Sequence, residues 1–314
     1  MKTAWLYAGQ GSQKAGMGKE LYQQYPLFRQ TIDQAEAYLD FDLKKIMFED
    51  PGGCIGRTEY TQPVLASYAA GITALLRQAH LVPDYTAGLS LGEYSALYGA
   101  GVFDLEGLVR VTAFRGAAMA RASKGTSAKM CAVIGISGDL VDRVCRQIRE
   151  QTGGLLVPAN YNSARQTVIS GDSCSVDLAV TALKEAGARR CMPLKVSGPF
   201  HTPLMKSAGD ALEKLFVEKP HLLHEMKVPV VFNTLGTVSD DSSAEAISNL
   251  LVRQVQSPTR MAQTITFLEN QGVEKIIEIG PGRTLSGFVK RTAPKIQTIS
   301  ADSPQDIEKL MQEA

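Results

Sequence analysis

Cysteine is scarce in this sequence, and it forms no pattern that would hold a metal ion or a disulfide framework. The five cysteines are odd in number, widely spaced and include no Cys-x-x-Cys pair. They are Cys54, Cys131, Cys145, Cys174 and Cys191. This spacing argues against a zinc site and against disulfide staples, so we expect no metal site and a reducing compartment.

An excess of charge of one sign is also missing, as are long apolar runs. The chain has 33 Lys+Arg against 32 Asp+Glu and no basic tail or block, which argues against a nucleic-acid partner or a membrane-surface protein. No segment approaches the roughly 18 apolar residues of a membrane span, and residues 1–8 enter a strand without an apolar leader. We therefore expect a soluble cytoplasmic protein that is, by default, a monomer.

A glycine-rich loop follows the first predicted strand but lacks the spacing of a nucleotide site. Residues 4–8 form a short apolar run, residues 9–13 read Gly-Gln-Gly-Ser-Gln, and Gly16 and Gly18 continue the loop. The sixth position counted from Gly9 is Lys14, where a dinucleotide fingerprint has glycine, and no Gly-Lys-Ser/Thr closes a phosphate loop. We therefore predict no cofactor.

The stretch around Ser90 has the layout of a nucleophile elbow. A β-prone run over residues 85–87 leads to Gly88-Leu89-Ser90-Leu91-Gly92, and a helix-forming run over 93–98 follows. Such a turn strains the serine backbone and needs flanking glycines, because a Cβ would collide with the neighbouring strand or helix. The next helix aims free N–H groups at the same place, where an oxyanion could be held. The pattern alone leaves a catalytic serine and a plain turn as alternatives.

Strands and helices alternate along most of the chain, which predicts a mostly parallel sheet covered on both faces. One helix is predicted to start near residue 62, with Pro63 in its first turn, and one strand to cover residues 228–232. Ligands bind at the carboxyl ends of such strands, where the loop over 9–13, Ser90, Asn233 and the turn over 280–282 would gather.

Between residues 129 and 196 the order changes to βαββαβ. Strands are predicted over 130–134, 155–159, 166–170 and 190–196, and helices over 139–151 and 174–186. This is the order of a ferredoxin-like unit, which can be inserted as a lobe. We therefore predict an α/β body formed by residues 1–127 and 198–314, interrupted by a small subdomain over 128–197.

Two further side chains are candidates for chemistry. His201 is the one histidine of four that lies in a rigid Gly-Pro-flanked turn at the predicted junction, although a helix-capping role fits its local sequence equally well. Arg115 falls at the edge of the apolar face of a helix predicted to follow Asp104 as N-cap. An arginine there needs an anion, either an internal Asp or Glu or an anionic ligand.

Several short motifs stand in a fixed order along the chain. They are Gly9-Gln-Gly-Ser-Gln13, Gly88-Leu-Ser-Leu-Gly-Glu-Tyr94, Arg115-Gly116, Asn160-Tyr-Asn-Ser163 with Gln166-Thr-Val-Ile-Ser-Gly171, Gly198-Pro-Phe-His201, Asn233, Gln254 with Pro258, and Glu278-Ile-Gly-Pro-Gly282. In this order, and over essentially the whole chain, they resemble the malonyl-CoA:acyl-carrier-protein transacylases of fatty-acid synthesis. The resemblance implies a hydrolase-like parallel α/β body with an inserted ferredoxin-like subdomain, in agreement with the organisation predicted above.

The resemblance also implies a ping-pong transfer of malonyl from malonyl-CoA to the phosphopantetheine thiol of acyl-carrier protein, through a malonyl-serine. Ser90 would be the nucleophile and His201 its base. A backbone carbonyl, expected from Gln254, would orient the histidine, so that no acidic triad member is needed. The backbone N–H groups of Gln10 and Leu91 would form the oxyanion hole.

The remaining implied roles concern the acyl group. Arg115 would pair with the free carboxylate of malonate, and Asn162 and Asn233 are candidate supporting polar groups. Phe200 and Leu91 resemble the malonyl-selective rather than the methylmalonyl-selective pattern, because a bulky phenyl ring leaves little room for an α-methyl branch.

The chain departs from the family's habit at a few loop positions. Leu89 stands where the family usually has histidine, Ala164-Arg165 replaces the usual Pro-Gly, and Ala8 replaces a common proline. These changes affect loop shape and remove no chemical group from the implied mechanism.

Two other functions fit part of the sequence. A serine hydrolase or thioesterase would use the same body, but its histidine usually comes late, whereas over a third of this chain follows His201. Arg115 would also have no role in such an enzyme. A non-catalytic subunit that binds carrier protein would not need Ser90, His201 and Arg115 together.

Overall fold

The computed structural model describes residues 1–194 and 198–313. The strands are β1 (Lys2–Tyr7), β2 (Tyr85–Gly88), β3 (Ala128–Ile134), β4 (Leu156–Ser163), β5 (Gln166–Asp172), β6 (Arg190–Pro193), β7 (Val230–Val231), β8 (Val273–Ile279) and β9 (Gln297–Ala301). The helices are α1 (Lys19–Gln24), α2 (Pro26–Glu36), α3 (Leu43–Phe48), α4 (Thr58–Gln78), α5 (Leu91–Gly99), α6 (Leu105–Ser123), α7 (Gly138–Thr152), α8 (Ser173–Glu185), α9 (Lys206–Glu218), α10 (Ala244–Gln254), α11 (Met261–Asn270), α12 (Thr284–Thr292) and α13 (Pro304–Gln312). None of the helices in these two ranges combines the length and apolar character needed to cross a membrane.

Five parallel strands form the sheet of the larger body, in the order β7-β2-β1-β8-β9. The side chains of the central strand β1 alternate between two cores. Trp5 and Tyr7 pack in the main apolar cluster on one face, and Ala4 and Leu6 pack in a second cluster on the other face. The sheet is therefore buried on both faces, and the carboxyl ends of β1 and β2 lie side by side, with Tyr7 opposite Gly88.

Four antiparallel strands form a second sheet, in the order β4-β5-β3-β6. Helices α7 and α8 pack against it and enclose a separate core that includes Val133, Cys145, Ile169 and Leu183. This is the strand order of a ferredoxin-like unit. The molecule is thus an α/β protein with a hydrolase-like parallel-sheet body and an inserted ferredoxin-like subdomain.

Two helices of the body differ from the sequence prediction. Where only a loop is predicted, the six-residue α1 follows Gly18; it is too short to show helical periodicity, and no side chain caps it. α4 begins at Thr58 rather than near residue 62, because a 3₁₀ turn over Cys54–Gly56 leads directly into it. Pro63 therefore lies beyond the first turn, inside the helix.

Two strands are shorter than predicted. Only Val230–Val231 of the predicted strand over 228–232 pairs with β2. Pro229 has no N–H to donate to the ladder, and the N–H of Phe232 donates instead to the Thr237 carbonyl in the following turn. In the lobe, β6 ends at Pro193. Residues 195–196 of the predicted strand, and the predicted domain boundary at residue 197, lie outside the described residues. The domain boundaries stay a prediction.

Candidate active site

Ser90 lies in a strained turn between β2 and α5, with φ 53° and ψ −102°. A Cβ on Gly88 would collide with the backbone of Gly92, and a Cβ on Gly92 would collide with the carbonyl of Tyr7. A positive φ at a residue other than glycine persists only where the surroundings hold it. The predicted elbow geometry and the need for both glycines are confirmed.

Ser90 and His201 form a hydrogen-bonded pair. The Ser90 Oγ lies 2.8 Å from Nε2 of His201, and the His201 Nδ1 lies 2.9 Å from the backbone carbonyl oxygen of Gln254. Because a carbonyl can only accept, Nδ1 carries the proton and Nε2 is free to accept the serine proton. Gln254 is the last residue of α10, so its carbonyl has no partner within the helix and is available to the imidazole.

His201 is held in its neutral form. It is 3% exposed, and burial, followed by the positive charge of Arg115, lowers the pKa of His201 to about 4. The imidazole is therefore unprotonated at neutral pH and can act as a base. Its backbone also has a positive φ, 60°, and its N–H donates to the Val255 carbonyl at 3.2 Å.

Arg115 points from α6 at the serine and is fully buried. Its Nη1 donates to the side-chain oxygen of Gln62 at 2.8 Å, and its Nη2 donates to that of Gln254 at 2.8 Å and to Ser90 Oγ at 3.2 Å. The ring of Tyr94 lies 5.0 Å from the guanidinium carbon. Burial lowers the pKa of Arg115.

No carboxylate of the described residues forms a direct ion pair with this guanidinium, although the buried Glu93 acts on it electrostatically without contact. Within residues 1–194 and 198–313, Arg115 takes part in no ion pair, and its Nε has no hydrogen-bond partner. The alternative of an internal Asp or Glu pair is therefore wrong for these residues. A buried cation beside a serine and a neutral histidine suits a ligand that carries an anionic group.

The backbone N–H groups of Gln10 and Leu91 stand beside the elbow. Leu91 is the first residue of α5, whose N-terminus has no side-chain cap. The loop that holds Gln10 lies against the elbow, because a Cβ on Gly9 would collide with the carbonyl oxygen of Leu89. Among the hydrogen bonds of the described residues, none uses either N–H as donor. Their role as an oxyanion hole stays a prediction.

The three candidate supporting residues lie in different places. Asn233 follows β7 and hydrogen-bonds the elbow directly: its Oδ1 accepts from the Ser90 N–H at 2.7 Å. Phe200 is buried in the main core immediately before His201. Asn162 is buried on β4 of the lobe with its Oδ1 unpaired. It forms no hydrogen bond with the other candidates in the described part of the chain, so the structure does not join it to the serine.

The sequence reasoning missed three side chains of the site. Gln62 holds Arg115, Glu93 lies buried in the first turn of α5, and the side chain of Gln254 bonds Ser90 as well as Arg115. The position of Glu93 carried one signal that could have been used. It is the only charged residue from Leu91 to Gly99, and every residue of that helix is buried.

Two of the loop departures have visible contacts. The side chain of Leu89 packs against the second apolar cluster beside Ala8. The turn at Ala164-Arg165 joins β4 to β5 and touches α12, where the N–H of Ala164 donates to the hydroxyl of Thr292 at 3.3 Å. Among the hydrogen bonds of the described residues, neither departure bonds the side chain of Ser90, His201 or Arg115. Within the described residues, no group of His, Cys, Asp and Glu is arranged to hold a metal ion.

Comparison with known proteins gives one consistent result. The acyl transferase domain matches residues 4–305. The malonyl CoA-acyl carrier protein transacylase of Bacillus subtilis (strain 168) is 37% identical over 311 residues, covering 99% of this chain and 96% of that protein. The MCAT crystal structure from Streptococcus pneumoniae is 39% identical with a TM-score of 0.92, covering 100% of both chains. A malonyl-transacylase solved in complex with a type II PKS acyl-carrier protein is 35% identical, with a TM-score of 0.93 and 100% coverage of both chains.

Proposed function

The chain belongs to the acyl transferase domain family, and on that premise we propose that it moves a malonyl group from malonyl-CoA to the phosphopantetheine thiol of an acyl-carrier protein, supplying fatty-acid elongation. The names of the relatives and the solved carrier-protein complex support this reaction. The observation that carries it is Arg115, a buried guanidinium with only neutral partners, 3.2 Å from the Ser90 hydroxyl.

The first half of the reaction acylates Ser90. His201 Nε2 takes the hydroxyl proton as Oγ attacks the thioester carbonyl, and the resulting oxyanion is held by the N–H groups of Gln10 and Leu91. The carbonyl of Gln254 stabilises the imidazolium that forms, because it lies at the negative end of α10. The C–S bond then breaks, the imidazolium proton passes to the CoA thiolate, and malonyl remains as an ester on Ser90.

The second half reverses these steps with a different thiol. The phosphopantetheine thiol gives its proton to His201 and attacks the ester carbonyl. The same two N–H groups hold the oxyanion, and Ser90 leaves with the proton returned from the histidine. No acidic residue is needed, since the backbone carbonyl already fixes the tautomer of His201.

Arg115 selects the acyl group in this proposal. A malonyl carboxylate would take the place of neutral oxygens on a guanidinium that already lies out of water, so each new charge-assisted bond forms where screening is weak. Phe200, buried next to His201, would limit space at the α-carbon and favour malonyl over a branched acyl group.

We further propose that the protein acts in the cytoplasm as a monomer, with no nucleic-acid or membrane partner. The near balance of 33 basic and 32 acidic residues supports this. All five cysteines are free, which fits a reducing compartment.

Intact-mass measurement tests the proposed reaction. Malonyl-CoA alone should add one malonyl group to the protein, and carrier protein bearing phosphopantetheine should then remove it. Ser90→Ala should form no adduct, whereas Ser95→Ala, a change in the same buried segment, should be acylated as the unchanged protein is. An adduct on Ser90→Ala would contradict the serine assignment.

A further inference from the structure

Asn233 binds the strand side of the elbow with both polar atoms of its side chain. Its Oδ1 accepts the Ser90 N–H at 2.7 Å, and its Nδ2 donates to the carbonyl oxygen of Gly88 at 2.6 Å. The residue is 1% exposed and follows β7, the strand next to β2. A single carboxamide from a neighbouring strand thus holds the two consecutive peptide groups that lead into the strained serine, those on either side of Leu89.

Glu93 in turn holds Asn233. The carboxylate Oε2 of Glu93 accepts the backbone N–H of Asn233, while Oε1 has no hydrogen-bond partner in the described residues. Burial raises the pKa of Glu93 to about 8, against the opposing effects of the Asn233 N–H, the positive charge of Arg115 and the side chain of Gln254. Removing a carboxyl group from water costs free energy, and Glu93 is fully buried. The proposed mechanism assigns this carboxyl group no role.

The other side of Ser90 is held as well. Its carbonyl oxygen accepts from Nε2 of Gln254 at 2.7 Å and from the backbone N–H of Glu93 at 3.1 Å. A positive φ such as that of Ser90 is strained, so the turn relaxes unless hydrogen bonds on both sides of the residue oppose rotation. The bond from Asn233 opposes it at the N–H, where the direction of the serine side chain is set.

We propose that Glu93 is a positioning residue: by fixing Asn233 it keeps the Ser90 hydroxyl aimed at His201 and the N–H of Leu91 aimed at the thioester. This inference rests on the proposed role of Ser90 as nucleophile. Glu93 acts here as a hydrogen-bond acceptor of the right length, and its charge is not required.

Two conservative variants distinguish the effect of the length of the Glu93 side chain from the effect of its charge. Glu93→Gln keeps an oxygen at the same distance from the Asn233 N–H and removes the charge. Glu93→Asp keeps the carboxyl group but withdraws it by one methylene. Losing one buried hydrogen bond corresponds to about 1–3 kcal/mol, which converts to roughly 5- to 150-fold in rate. We expect Glu93→Asp to slow single-turnover acylation by malonyl-CoA about 10-fold or more, and Glu93→Gln to stay within about 3-fold of the unchanged protein.

The binding of malonyl-CoA should not follow the same pattern. Its dissociation constant, measured in the Ser90→Ala background so that no acylation occurs, should change less than about 3-fold in both variants, because neither contacts the substrate.

Asn233→Ala should slow acylation at least as much as Glu93→Asp. Ile32→Val, a cavity-forming change in the core beneath α2, serves as the folding control. It should lower the unfolding temperature and leave the acylation rate of folded protein unchanged.

Three other results would each contradict a specific part of the proposal. A slow Glu93→Gln beside a normal Glu93→Asp would assign Glu93 a charge role and overturn positioning by length. Normal acylation in Glu93→Asp and Asn233→Ala together, or a loss confined to binding, would overturn positioning altogether. Malonylation of Ser90→Ala would instead remove the proposed nucleophile, a result that no Glu93 variant can produce.

Discussion

Arg115 is the residue on which the proposed preference for a malonyl group depends. Its buried guanidinium has Gln62, Gln254 and Ser90 as partners and no carboxylate in the described chain. Arg115→Ala should reduce kcat/KM for malonyl-CoA by about 100-fold or more, since charge-assisted bonds in a buried site are worth about 2–5 kcal/mol. Transfer from acetyl-CoA, which has no carboxylate, should fall much less.

Arg115→Lys is the matched control, because it keeps the charge and loses the two-pronged geometry. It should lie between the unchanged protein and Arg115→Ala with malonyl-CoA. Equal losses for the malonyl and acetyl donors in Arg115→Ala would rule out a carboxylate-binding role.

The lowered pKa of His201 predicts an unusual dependence of kcat/KM on pH. Burial and Arg115 lower its pKa from the ordinary 6.5 to about 4, and only the neutral imidazole can accept the serine proton. As pH falls, kcat/KM should therefore stay level through 6.5 and drop only near 4. In Arg115→Ala one of the two lowering effects is absent, so the drop should move to higher pH while burial keeps it below 6.5. A drop centred at 6.5 in the unchanged protein would contradict this environment for His201.

At the scale of elements, the crossing of β1, β2 and α5 depends on glycine. A Cβ on Gly92 would collide with the Tyr7 carbonyl, and no side-chain rotation can relieve this clash because the backbone itself fixes the Cβ position. Gly92→Ala should lower the free energy of unfolding by about 2–4 kcal/mol and abolish acylation. Gly56→Ala is the control, since an added Cβ there meets no atom within 4 Å. It should change stability by less than about 1 kcal/mol, in the stabilising direction if at all. Full acylation of Gly92→Ala would contradict the close crossing.

The elements that sequence predicted best are those with a clear period and a capping residue. The lobe's order of elements and the Asp104 cap of α6, which accepts from the Gly107 N–H at 2.7 Å, are confirmed. The predicted start of α4 was wrong because Pro63 lies inside the helix, whose first turn is formed by the residues from Thr58 onward. The β7 prediction was too long because Pro229 interrupts the ladder.

The candidate site divides in the same way. Ser90, His201, Arg115 and the carbonyl of Gln254 could be predicted because each lies in a motif of recognisable order. Glu93 could be noticed as the one charged residue of an otherwise uncharged helix, but its contact with Asn233 is visible only when β7 is placed beside β2. Which residues of two distant elements contact each other depends on tertiary packing, and the local sequence pattern does not show it.

At the scale of the whole molecule, one short segment links the body and the lobe. Gln254 orients His201, and Val255 accepts the His201 N–H. A few residues further on, Thr259 forms a parallel bridge to β4. It donates to the Ala159 carbonyl at 2.9 Å and accepts from the Tyr161 N–H at 2.8 Å. The position of the lobe is therefore tied to the segment that holds His201.

Thr259→Val tests this link. The change removes the hydroxyl that accepts from Nδ2 of Asn160 at 2.8 Å and leaves that buried amide without its partner, which should cost about 1–3 kcal/mol of unfolding free energy. Hydrogen exchange should speed up at the Tyr161 amide. Thr266→Val, an exposed position on α11, should change neither quantity. Unchanged exchange in Thr259→Val would mean that other contacts hold β4.

The lone guanidinium beside Ser90 also has a consequence for inhibitor chemistry. An electrophile that acylates this serine and carries a free acid one methylene from its reactive carbonyl would meet Arg115 in the geometry of the natural acyl group. Its methyl ester would bring the same reactivity without the ionic contact, and should be the weaker compound of the pair. The carboxylate of the inhibitor would then provide selectivity over other serine enzymes, so that an electrophile of low reactivity would suffice.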